Sequence, residues 1–212
     1  MNMRTTGAER RLGVISAAAV FTLNLAYVVV LVFGFLSLAG PDAPIGDPWF
    51  PALELLILFL MPVTVALMAA IHAAAPAGAK PLSLLSVIFM GLTAALTMCV
   101  HFSILTLART PAFAAEPWVA RLLSVQWPSL AYAIDILAWD LFFALSVLCA
   151  APAFGKARAI RALLVLSGLL ALAGLGGVVA GDMRLRNIGI LGYAGVFPLA
   201  AALMVPWFRR RR

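Results

Sequence analysis

Residues 82–108 read LSLLSVIFMGLTAALTMCVHFSILTLA, a stretch without a single Asp, Glu, Lys or Arg. As an α-helix rising about 1.5 Å per residue it would be roughly 40 Å long, more than the ~30 Å hydrocarbon core of a bilayer. Backbone groups facing lipid must be satisfied inside one segment or in a closed barrel, and barrel strands alternate apolar with polar residues. This stretch does not alternate, so it predicts a membrane-crossing helix.

Five further stretches read the same way, at about 12–38, 51–75, 128–151, 159–180 and 187–208. The fold expected is all-α: a polytopic membrane protein, a six-transmembrane-helix bundle forming one integral membrane domain over residues 1–212. The breaks have turn chemistry. Residues 41–48 (PDAPIGDP) hold three prolines, which fix φ and cannot extend a helix, while 75–81 and 151–156 are tight hairpin connections. The run from Leu12 to Leu38 is far longer than the core of a secretory signal and reads as an uncleaved first span.

Composition agrees. The chain is 65% hydrophobic and 11% charged, with a mean hydropathy of +1.09, whereas a soluble domain is about half apolar and a quarter charged. A cytosolic enzyme, a nucleic-acid-binding domain and a disordered chain are all excluded on that ground.

The net charge of +7 is spread over the span ends rather than gathered in one patch. With the amino terminus inside, the inner segments hold Arg4, Arg10, Arg11, Lys80, Lys156, Arg158, Arg161 and Arg209 to Arg212. The outer segments hold only Arg109, Arg121, Arg184 and Arg186. That asymmetry predicts both termini in the cytoplasm, in the inner (cytoplasmic) membrane of a bacterium. Trp49, Trp118, Trp127 and Trp207 fall at the expected interfaces. The longest connection carries Trp118, Leu122 and Val125 on one side, which suggests an outer interfacial helix over 112–125.

The chemistry rests on polar residues inside spans, which are costly in lipid and often functional. Glu54, His101, Asp135 and Asp140 lie in the outer half of the expected bundle, with Asn24, Tyr132 and Trp139 as neighbours. Thr93, Thr97 and His101 recur every fourth residue and form one stripe on the third span. Asp135 and Asp140 are five residues apart, about 140° round an α-helix, so they point to different partners. The expectation is that one meets His101 and the other Asn24 or Arg184. Three readings stay open at this level: a polar pocket that binds or moves a small amphipathic or lipid-like molecule, an intramembrane enzyme with His101 and Asp135 as general acid and base, and a structural subunit of a membrane complex.

Sharper chemistry lacks its residues. Two histidines, expected on opposite sides, do not make a zinc hydrolase site or a bis-histidine haem, and no phosphate loop, Gly-x-Ser-x-Gly elbow or Cys-x-x-Cys occurs. No metal and no cofactor is expected; the partners expected are membrane lipids. Cys99 and Cys149 read as small apolar fillers. Pro62 and Pro198 should kink their spans. Gly177 and Gly181 form a Gly-x-x-x-Gly pair that packs helices closely, within the bundle or across a homo-oligomer.

Overall fold

The computed structural model describes residues 7–40 and 43–211. Arg4 and Arg212 of the charge count, and Pro41 and Asp42 of the first loop, lie outside the described residues. Among those described there is no strand, and six helices are long and apolar enough to cross a membrane. They are α1 (Gly7–Leu36), α2 (Trp49–Ala74), α3 (Lys80–Thr106), α4 (Leu130–Phe154), α5 (Arg158–Ala180) and α6 (Met183–Arg209). Each falls within a few residues of an expected span.

Each helix packs against its chain neighbours, and α6 returns to α1, so the six close into a ring. Around an apolar core, the burial pattern departs from that of a water-soluble protein. Val179 is 90% exposed and Leu36 77%, while Glu54, His101, Asp140 and Arg186 are buried inside the ring. Apolar side chains outside and charges inside suit a bundle whose surroundings are hydrocarbon.

Two helices depart from α geometry at mid-length. Residues Leu137–Phe143 of α4 and Leu191–Val196 of α6 form π-helical turns. A π turn loosens the regular ladder of carbonyls, and in each case a neighbouring hydroxyl fills in. Thr93 donates to the Ala138 carbonyl at 3.3 Å, and Ser167 to the Gly192 carbonyl at 2.9 Å. In α6 the turn ends just before Pro198, which has no N–H to give the carbonyl four residues back. Aromatic rings fill the space between the two π turns: Tyr193 lies 4.8 Å from Trp139, and Phe143 packs against both Tyr193 and Phe197.

The outer connection differs from expectation. Instead of one helix over 112–125 there are two single turns, Pro111–Ala114 and Val119–Leu122. Pro117 separates them, because a proline disfavours helical backbone in the residue before it and lacks a donor of its own.

Candidate functional site

The charged side chains inside the ring gather at one end, where α1, α3 and α5 finish and α2, α4 and α6 begin. Glu54 lies five residues inside α2, His101 five residues from the end of α3, and Asp135 five residues inside α4. Antiparallel neighbours with equal offsets bring these three to one depth. The start of α4 is fixed by Ser129, whose hydroxyl accepts from the Tyr132 N–H at 3.1 Å.

Glu54 Oε2 and His101 Nδ1 are 2.8 Å apart, both buried. On the opposite edge of the imidazole, Nε2 faces Asp135 Oδ1 at 3.5 Å. That second contact is an ion-pair approach without hydrogen-bond geometry, and both atoms are buried with no other partner among the described residues. One turn deeper on α3 the Thr97 hydroxyl is also buried and unpartnered. Thr93, Thr97 and His101 do form the expected stripe, all three buried. The two carboxylates flank the imidazole from opposite sides, so the donors converge on the ring and not on a common point where a metal would sit.

Asp140 belongs to a second pair. Its Oδ2 is 3.3 Å from Arg186 Nε, again in ion-pair rather than hydrogen-bond geometry, with Asp140 0% and Arg186 3% exposed. Arg186 also donates from Nη1 to the Tyr132 hydroxyl at 3.2 Å and lies over the Tyr132 ring. The expectation that Asp140 meets Asn24 or Arg184 is therefore corrected. Asn24 turns back to donate to the Val20 carbonyl of its own helix, and Arg184 is exposed. The physical reason is the π turn of α4. Its wider winding brings residue i+5 nearer to residue i than the α-helical 140° allows.

Glycines make room for this pair. A Cβ at Gly189 would stand 2.6 Å from Asp140 Oδ1, and one at Gly174 3.0 Å from Oδ2. A Cβ at Gly177 would collide with the backbone N of Arg186. Gly181, at φ +68°, ends α5 in the left-handed conformation, and Asp182 caps the next turn by accepting from the Arg184 N–H at 2.8 Å. That tight reversal lays Arg186 across α5. Gly177 is thus occupied by α6 of the same chain, and Gly181 serves the turn.

Across the end of the bundle the order is Glu54, His101, Asp135, then Arg186 and Asp140, with Tyr132 as a hydroxyl rim. Trp139 packs against Tyr193 with the rings tilted by 37°. The groups face one another more than open space, and of the charged side chains in the layer only Asp135, 18% exposed, reaches the surface. Three carboxyl groups stand with one guanidinium and one imidazole, so acidic groups in the layer outnumber basic ones by one. Sequence reasoning missed Arg186, Gly174 and Gly189, and of the glycines beside the pair it singled out Gly177 alone. Arg186 was counted as a loop charge because hydropathy starts the sixth span at 187.

Above the buried layer, Arg109 forks onto both oxygens of Asp47 at 2.9 and 2.7 Å, joining the end of α3 to the start of α2. Compared with known proteins, the chain matches no protein family, no curated protein and no solved structure.

Proposed function

We propose that this chain is a multi-pass protein of the bacterial cytoplasmic membrane, both termini inside, which binds a small amphipathic molecule with a cationic head at Asp135. The Lys and Arg excess on the connections at the terminal end supports the orientation. The observation that carries the binding reading is Asp135 itself. Its side chain is 18% exposed, the only one of the charged side chains in the layer that is not fully buried, and acidic groups in the layer outnumber basic ones by one. An ammonium group at the exposed part of this carboxylate supplies N–H donors and a positive charge, and the exposed Trp127 ring, 6.4 Å from that of Tyr132, offers a face that attracts cations.

The test uses purified protein and three ten-carbon probes below their micellar concentrations: decylammonium, decanol and decanoate. A ligand that binds the folded state raises the melting temperature by mass action. The ammonium alone should do so, and Asp135→Asn should abolish the shift. Equal shifts from all three probes, or an undiminished shift in the variant, would overturn the reading.

A second reading has its own observation. Glu54 holds His101 Nδ1, which orients Nε2 toward Asp135 as a base-orienting carboxylate fixes an imidazole in hydrolases. His101 would then be the general base of an intramembrane enzyme, with Asp135 beside the proton it moves. Loss of turnover in His101→Gln with the ammonium shift intact would favour this second reading.

A further inference from the structure

At the end of the bundle away from the ionic layer, some cations serve the protein and others do not. Lys80 donates to the carbonyls of His72 and Ala73, capping α2, and Arg211 donates to the Ala74 carbonyl while lying 3.9 Å over the Trp207 ring. Arg10, Arg11 and Arg209 are exposed and take part in none of the salt bridges among the described residues. These three line one depression of about 340 Å³ with Val14 and Ile15.

The seam between α1 and α6 explains the gathering. A Cβ at Gly13 would run into the ring of Phe208, which is buried, so the two helices come closest at this level. Arg209 follows Phe208, and Arg10 lies one turn before Gly13 on the helix. The close approach therefore sets guanidiniums from two helices around one space. Three like charges in one depression repel each other until an anion joins them. Guanidinium forks match phosphate oxygens two at a time, and an anionic lipid, unlike a zwitterionic one, brings no ammonium of its own to cancel the charge they need. The depression holds a headgroup phosphate but not two acyl chains; Ile15, 66% exposed, opens the floor onto the apolar outer face of α1, where chains would lie.

We infer that the α1–α6 seam is a binding site for an anionic phospholipid, its phosphate held by Arg10, Arg11 and Arg209 and its acyl chains laid over Val14 and Ile15. The inference rests on the reading of the chain as membrane-spanning, with this end in the cytoplasmic headgroup layer. A comparison lies in the same molecule. Arg158 and Arg161 line another depression with Val165, Leu166 and Leu169, but all of these come from the one helix α5 and no second helix closes on them.

The protein is reconstituted into vesicles of phosphatidylcholine and phosphatidylglycerol, floated on a density gradient, extracted in mild detergent and assayed for co-purifying lipid. Phosphatidylglycerol should be enriched over phosphatidylcholine. Arg10→Gln with Arg209→Gln should cut that enrichment at least about fivefold, the factor expected for one basic residue at a membrane surface. Arg158→Gln with Arg161→Gln, which removes the same charge, should cut it by less than about twofold. Equal losses in the two double variants, or no enrichment in the parent, would overturn the site. Failure to float overturns the membrane reading instead, so the two failures are distinct.

Discussion

Glu54 Oε2 meets His101 Nδ1 at 2.8 Å across 47 residues of chain, and both side chains are buried. Removing one partner strands the other where water does not replace it. An unsatisfied buried group costs about 1–3 kcal/mol, against the ~0.6 kcal/mol average of hydrogen bonds between membrane helices. The upper range applies here because His101 Nε2 has no compensating hydrogen bond. Glu54→Ala should therefore lose about 1–3 kcal/mol in reversible detergent unfolding. Glu54→Gln, which keeps a carbonyl acceptor, should lose about half as much. Equal losses would mean that the carboxylate itself, which both variants remove, is what matters at this position and that a carbonyl acceptor does not replace it.

Asp140 and Arg186 form the more deeply buried pair, and deleting one half leaves a charge inside the ring. Such deletions cost about 3–5 kcal/mol. Asp140→Asn and Arg186→Gln should each be strongly destabilising, and the double variant should recover at least about 1 kcal/mol of the summed loss. A double-mutant cycle measured by unfolding checks this, and strict additivity would show that the two charges do not act on one another.

The contrast between these pairs shows what was readable in advance. Hydropathy placed all six helices, because the demand to satisfy backbone groups in lipid leaves one solution for long apolar runs. Equal depth put His101 level with Asp135, since antiparallel helices share a simple length scale. The partner of Asp140 was not readable, because a π turn between residues 137 and 143 breaks the 100° periodicity from which faces are counted. Arg186 was hidden for another reason: at a span boundary the same residue serves equally well as a topological flank or as a buried ion, and only the glycines of α5 decide between them. Even those glycines were ambiguous, because close packing within a chain and between chains uses the same spacing.

Adjacent glycines on α5 should respond in opposite directions. Gly176 has open space where a Cβ would go, so Gly176→Ala should stabilise the helix by about 0.5–1 kcal/mol. At Gly177 the Cβ would meet the Arg186 backbone, which cannot rotate aside, so Gly177→Ala should cost about 1–3 kcal/mol as overpacking. Thermal melts of the two variants against the parent decide it. A harmless Gly177→Ala would mean that α6 does not lie on α5 as described.

Thr93 offers a test of the π turn in α4. Its hydroxyl donates to the Ala138 carbonyl as well as to Phe89 on its own helix. Thr93→Val keeps the shape and removes the donor, so it should cost about 1 kcal/mol, and Thr93→Ser should restore most of it. A Val variant as stable as the parent would show that the Ala138 carbonyl needs no outside donor.

The surface pair above the layer predicts a pH dependence with a definite sign. The Arg109 guanidinium, hydrogen-bonded to Asp47, holds that carboxyl below its ordinary value. A carboxylate that is more acidic in the folded state than in the unfolded chain contributes stability above its unfolded value, near 4, and loses it as the pH falls through the lower folded value. The pair is exposed, so its contribution is small and screened by salt. The melting temperature of the parent should exceed that of Asp47→Asn by a constant margin from pH 7 down to about 5. Below about pH 4 the margin should shrink and then vanish, and it should narrow at neutral pH as salt is raised. A margin that persists unchanged into acid would show that Asp47 acts through the backbone of its loop, with Arg109 contributing nothing.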